Sequence, residues 1–329
     1  MARAVRFDRY GGPEVLRIVE VETPPPGPGE VRLRVRALGL NRAEALLRAG
    51  AYIEEARFPS GLGLEAAGTV DSVGEGVAGL APGDAVSLIP PRSMVEWPTY
   101  AELVTAPADR VVKHPPALSF EEAASVWMAH LTAYGALVDI AALGPGEPVA
   151  ITAASSSVGL AAIAIANQRG AVPIAVTRSS AKAAALRQAG AAHVVASAEE
   201  DLATRLTAIA GPAGIRVVFD AVGGAAFAAL TAAMAPGGIL INYGGLSPEP
   251  TPYPLGQALG KQLTLRGYLV HHVTAAPERL EPAKRYILDG LAAGVLRPVI
   301  ARRFPFEQIA EAHRFLESGE QFGKIVVTL

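Results

Sequence analysis

The stretch that most limits what this chain can become runs from Val149 to Gly159, VAITAASSSVG, and continues as LAAIAIANQRG. A β-rich run enters a turn of small residues and leaves with helical periodicity. That arrangement seats an anionic group on backbone amides and a helix N-terminus. Of the three glycines in a dinucleotide-binding fingerprint only Gly159 is present, with Ala153 and Ser156 or Ser157 in the other places. Ser and Ala still let a phosphate approach the main chain, and the Ser156 and Ser157 hydroxyls are able to donate to it. An ordinary strand-to-helix turn is the competing reading.

The next β-rich run, Ala171 to Thr177, ends in RSSAK. The side chain that reads the adenosine ribose lies roughly 20 residues past the glycine turn, acidic for a free 2′-hydroxyl and basic for a 2′-phosphate. Arg178 stands there, with Ser179, Ser180 and Lys182 beside it. Guanidinium, hydroxyl and ammonium groups together suit a phosphate dianion. The alternative is a solvated basic helix start, which the helix dipole disfavours. The spacing therefore predicts NADPH over NADH, bound by Ser156, Ser157, Val158, Arg178, Ser179 and Lys182.

Composition narrows the classes. The 329 residues exceed one small domain, half of them are hydrophobic, and the formal net charge is −2. No basic surface calls for nucleic acid or an anionic membrane. The absence of cysteine removes disulfides, thiolate catalysis and thiolate metal sites. With no apolar signal core and no apolar run of about 18 residues, a cytoplasmic protein is expected.

Residues 1 to about 125 read as many short strands separated by Gly and Pro, which suggests a small barrel or sandwich. Within them VRLRVRALGL alternates as a half-buried strand, and NRAEALLRAGAY, Asn41 to Tyr52, reads as a short helix opened by an Asn. SFEE, from Ser119, offers a capping box for a helix through AASVWMAHLTAYGAL. From Val149 strands and Ala-rich helices alternate, predicting a doubly wound parallel sheet. QLTLRGYLV, Gln262 to Val270, reads as its apolar edge strand, so a homodimer joined there is expected. The terminal strand KIVVTL is expected to return to the first domain. Each of the six histidines reads as solvated or partly packed.

Ten separated segments resemble the medium-chain dehydrogenase/reductase superfamily, in its zinc-independent quinone oxidoreductase-like branch. They are PPPGPGEVRLRV (24 to 35), GLNRAEALLRAGAY (39 to 52), GLGLEAAGTVDSVGEGV (61 to 77), PGDAV (82 to 86), LSFEEAASV (118 to 126), LTAYGAL (131 to 137), ITAASSSVGLAAI (151 to 163), FDAVGG (219 to 224), GGILINYG (237 to 244) and GKIVVTL (323 to 329). The resemblance implies an α/β fold: a Rossmann doubly wound parallel sheet plus a GroES-like β-rich catalytic domain, with the active site in the cleft. It places the discontinuous catalytic domain at 1–125 and 285–329 and the NADPH-binding domain at 126–284. In the zinc alcohol dehydrogenases of this superfamily the places of Asn41, Leu64 and Met128 hold Cys, His and Cys. Asn, Leu and Met do not assemble the three donors of a catalytic zinc, so no metal is expected, although Glu44 and Glu65 remain as possible hard ligands.

Without a Lewis acid, conjugate reduction is favoured over carbonyl reduction, because hydride addition to an enone, enal, quinone or enoyl thioester leaves a delocalised enolate. By resemblance, Tyr52 lies at the substrate mouth as a candidate proton donor; a ring closing a helix in the core is the alternative. Asn41 would reach the nicotinamide ribose or substrate oxygen, or simply cap its helix. The resemblance further implies cofactor contacts from Thr132, Tyr243, Gly244, the 268–270 loop including Leu269, and Lys324. The reading is an NADPH-dependent reductase of quinones or other activated C=C bonds. Its alternatives are a zinc-independent alcohol or aldehyde dehydrogenase and an NADPH-binding protein with a structural or regulatory role.

Overall fold

The computed structural model describes residues 1–329 and divides into two compact units, Met1–Met128 with Pro298–Leu329, and Ala129–Arg297. The sequence puts the return to the first unit at residue 285. In the structure the helix Pro277–Ala292 lies wholly in the second unit, its Leu280, Ala283, Ile287 and Leu291 buried, and the chain returns at Pro298.

The first unit is β-rich. Its strands, numbered along the whole chain, are β1 (Ala2–Arg6), β2 (Arg17–Val21), β3 (Glu30–Gly39), β4 (Glu65–Val73), β5 (Ala85–Leu88), β6 (Leu103–Pro107), β7 (Val111–Lys113), β14 (Ile300–Pro305) and β15 (Lys324–Thr328). β1 and β2 pair as a two-stranded sheet, while the others form a seven-stranded sheet in the order β14-β15-β3-β4-β5-β7 with β6 also on β3. β3 organises this sheet. Its first half pairs with β6 and its end with β15. Its alternation is the cause: Val31, Leu33 and Val35 are buried beneath solvent-side arginines and join Phe304, Phe306, Ile325 and Val327 in the core.

The helix Arg42–Ala49 follows β3. It is shorter than the sequence reading to Tyr52, because Gly50 takes the left-handed conformation (φ 73°) that ends a helix. Tyr52 therefore stands in the loop beyond it. The helix opened by Ser119 is also interrupted: it runs Phe120–Ala123, resumes at Trp127–Tyr134 and passes into a π-helix, Gly135–Ile140. The Ser125 hydroxyl bonds back to the Glu121 carbonyl at 2.7 Å, which competes with regular helix at the break.

The second unit is a six-stranded parallel sheet of β8 (Pro148–Ile151), β9 (Val172–Thr177), β10 (His193–Ala196), β11 (Ile215–Asp220), β12 (Met234–Asn242) and β13 (Thr264–Gly267). The order β10-β9-β8-β11-β12-β13 reverses direction between β8 and β11. In open α/β sheets such a switch point leaves a crevice outside the strands' carboxyl ends. No helix of the chain is long and apolar enough to cross a membrane.

Candidate functional site

In the second unit, the turn after β8 leads into the helix Ser157–Gln168. Ala153, where the fingerprint has a glycine, adopts φ 46°, so the turn requires the left-handed backbone whatever residue occupies it. The Ser156 hydroxyl caps the helix by accepting from the Gly159 amide at 3.0 Å. Ser157 and Val158 then present first-turn amides that have no intrahelical acceptor. A Cβ on Gly159 would come within 2.6 Å of the Ala154 backbone, so only glycine lets the helix start this close to the turn.

Asp220, at the end of β11 and 0 % exposed, ties the strand ends together. It accepts from the Thr152 hydroxyl (2.7 Å), the Val222 and Gly223 amides (3.0 and 2.9 Å) and the Asn242 amide (2.9 Å). The Asn242 side chain also donates to the Gly244 carbonyl at 3.0 Å. Sequence reasoning noted FDAVGG as a motif and missed this role; an acid closing a buried strand was the available signal. Tyr243 stacks on Phe219, ring centroids 4.1 Å apart. Burial and the Asp220 charge push its phenol up, with Ser156 opposing, and no hydrogen bond of ordinary geometry satisfies its buried oxygen. These features suit a dinucleotide: small turn, free amides, and an orphaned hydroxyl in the same crevice.

Beyond β9, Arg178 is exposed, with no carboxylate in ion-pair contact, and Ser179 precedes a short turn, Ser180–Lys182. The Lys182 ammonium reaches the Ser155 hydroxyl at 3.3 Å, which joins the ends of β8 and β9. The structure thus brings Ser156, Ser157, Val158, Arg178, Ser179, Lys182, Tyr243 and Gly244 to the carboxyl ends of adjoining strands. Thr132 is buried in the helix Trp127–Tyr134. Tyr268 anchors the 268–270 loop by donating to the Leu131 carbonyl at 3.3 Å, leaving Leu269 exposed.

The first unit holds a second constellation. Glu44, in the first turn of the helix Arg42–Ala49, accepts from the Asn41 backbone amide at 2.6 Å, completing its cap. The Asn41 side chain is engaged at both ends. Its Oδ1 accepts from Lys324 at 2.6 Å, and its Nδ2 donates to Glu44 at 3.1 Å and to Glu65 at 3.2 Å. Lys324 also pairs with the Glu65 carboxylate, both residues being 1 % exposed. The Leu64 and Met128 amides complete the network on Glu44 (3.2 Å) and Glu65 (2.8 Å). Burial drives the Glu44 carboxyl up to about 7 against the pull of Lys324 and Asn41.

Positions 41, 64 and 128, where a zinc would need donors, do converge here, but they offer an amide side chain already engaged, a leucine and a methionine. The residues do not fit zinc. An ammonium instead lies among the carboxylates.

Tyr52 is half-buried against the core of this unit. Its phenol is pushed up to about 12 by burial and by the Glu44 and Glu54 charges. Glu54 fixes the loop that carries it, accepting from the Ser93 hydroxyl and, at 3.2 Å, from the Met94 amide. Of the six histidines, His193 is exposed and His271 and His272 are half-buried, as expected, whereas His114, His130 and His313 are buried. His313 is wholly buried because it lies on the inward face of the helix Ile309–Ser318 with Ile309, Ala312 and Leu316. Burial and Arg48, 3.0 Å away, lower it to about 3, so it is neutral.

Comparison with known proteins bears on both units. Residues 27–116 match the alcohol dehydrogenase GroES-like domain family, and residues 189–327 match the zinc-binding dehydrogenase family. The chain is 33 % identical over 322 residues to quinone oxidoreductase 1 of Escherichia coli, covering 97 % of each protein. It also resembles the crystal structure of Escherichia coli quinone oxidoreductase complexed with NADPH, with a TM-score of 0.91 at 30 % identity over 99 % of this chain and 100 % of that one. The CurK enoyl reductase structure superimposes with a TM-score of 0.89 at 25 % identity, covering 99 % of each chain.

Proposed function

Because the chain belongs to the quinone oxidoreductases of the medium-chain dehydrogenase/reductase superfamily, we propose that it is an NADPH-dependent oxidoreductase. Its substrates in this reading are quinones or other activated C=C bonds, namely enones, enals or enoyl thioesters, reduced by direct hydride transfer without metal. The observation that carries the reading is the corner beyond β9, where Arg178 stands exposed and unengaged next to Ser179 and Ser180. An uncommitted guanidinium beside hydroxyls is what a 2′-phosphate needs.

We assign dinucleotide binding to the parallel-sheet unit and catalysis to the β-rich unit. Ser156, Ser157 and Val158 receive the pyrophosphate at the helix N-terminus, and Arg178, Ser179 and Lys182 the 2′-phosphate. Thr132, Tyr243, Gly244 and Leu269 border the remainder. When bound, the nicotinamide supplies the hydride. The chain's own part is to hold a proton for the enolate, and we assign that part to Tyr52, whose half-buried phenol is protonated at neutral pH. Asn41 and Lys324 share a hydrogen bond that orders the start of the helix beside Tyr52, and the third N–H of Lys324 and the second lone pair of the Asn41 Oδ1 are left for the nicotinamide ribose or the substrate oxygen.

We also place the protein in the cytoplasm, as a homodimer joined along β13. That strand is one of the two outer strands of its sheet, and Tyr253, Leu255 and Leu259 are exposed just before it.

The deciding experiment follows NADPH oxidation by the full-length protein with quinones, enals, enoyl thioesters and simple aldehydes. Turnover with the first three supports the proposal. Turnover confined to aldehydes supports the alcohol/aldehyde dehydrogenase reading, and tight NADPH binding with no turnover supports a structural or regulatory role.

A further inference from the structure

The corner that faces a 2′-phosphate is not purely cationic. The segment after β10 lies along the end of β9, the Ser197 amide donating to the Thr177 carbonyl at 2.8 Å and the Ala198 amide to the Arg178 carbonyl at 3.0 Å. This register delivers two consecutive acids to the corner, and they differ. Glu200 accepts from the Ala196 amide (2.9 Å) and pairs with Arg205 (2.6 Å), so its charge is matched. Glu199 has no cationic partner. Its carboxylate accepts from the Ser180 amide at 2.9 Å, one residue past Arg178 and Ser179. The same amide and the Ser180 hydroxyl hold it below the usual carboxylate range, so it is ionised at neutral pH.

We propose that Glu199 is a specificity-determining residue for the dinucleotide: its carboxylate occupies the Ser180 amide that a 2′-phosphate would use, and it accepts from the 2′-hydroxyl of an unphosphorylated ribose instead. The inference rests on the NADPH reading given above and refines it. Arg178 and Lys182 attract the phosphate, Glu199 repels it, and the chain's preference for NADPH over NADH is the difference between the two. Sequence reasoning from the glycine turn stops at Arg178, because the acid comes from the following strand, and only the β9–β10 register places it there.

The test is Glu199→Gln. Glutamine keeps an oxygen for the Ser180 amide and removes the charge, so the corner's geometry is retained. Dissociation constants for NADPH and NADH are measured by titration of the full-length wild type and variant at low salt. Removing one negative charge beside a phosphate dianion in a solvated corner predicts that the affinity ratio of NADPH to NADH rises by about tenfold in the variant, and by less at high salt. An unchanged or reduced ratio overturns the proposal. Two outcomes separate it from the reading beneath it. If the wild type prefers NADH and the variant shifts toward NADPH, the role of Glu199 stands and the NADPH assignment falls. If the wild type binds neither dinucleotide, both fall.

Discussion

Replacing Lys324 with methionine tests whether one ammonium holds two carboxylates inside the β-rich unit. Methionine keeps an unbranched apolar stem and deletes the charge. Asn41 loses its 2.6 Å bond, and Glu65 keeps only the Met128 amide and the Asn41 amide. Removing one partner of a buried ion pair costs about 3–5 kcal/mol, because the other charge stays behind.

Glu44 adds a dependence on pH. Its folded value of about 7 lies above the ordinary 4.5, so it imposes no penalty below the ordinary value, and the wild type loses stability as pH rises through the folded one. At about 1.36 kcal/mol per unit, that interval is worth about 3 kcal/mol. Lys324 is the largest influence opposing the rise, so its loss widens the interval. Urea unfolding should therefore show Lys324→Met destabilised by about 4 kcal/mol at pH 8 and by less at pH 5. Adding Glu65→Gln should restore most of the loss at pH 8. A cost equal at both pH values and untouched by the second substitution would refute the argument.

Gly159→Ala forces a Cβ to within 2.6 Å of the Ala154 backbone, which cannot yield as a side chain would. A loss of about 2 kcal/mol in stability and weaker NADPH binding should appear together in thermal melts with and without cofactor. Tyr52→Phe should lower kcat about 100-fold with little change in NADPH affinity, and unchanged turnover would discard the proton-donor role. Leu259→Asp places a charge on a side chain that is 70 % exposed. Sedimentation should show the dimer dissociating, and a wild type that is monomeric at micromolar concentration would end the dimer proposal.

What was legible in the sequence is what neighbours in the chain decide. The alternation of β3, the Asn41 and Ser119 caps and the strand–turn–helix at Val149 to Gly159 are local patterns, and each appears in the structure. The helix read to Tyr52 stops earlier because one glycine outweighs the periodicity beyond it. What was not legible depends on pairing at a distance. Lys324 meets Glu65 across most of the chain, Asp220 gathers three strand ends, and Glu199 reaches Ser180 only through strand register. His313 reads in the sequence as solvated or partly packed, not wholly buried, because an isolated histidine carries no mark of the helix face it falls on.

The place of β15 has a bearing on how the chain emerges during synthesis. That strand lies inside its sheet, between β14 and β3, and carries the countercharge of Glu65. Everything from Ala129 to Arg297 leaves the ribosome before it. The parallel-sheet unit is contiguous and able to settle as it is made, whereas the earlier-born β-rich half waits with an open seam and an unmatched interior acid. A nascent chain stalled before Pro298 would expose that seam, and it is the stage at which a chaperone would find the most to hold.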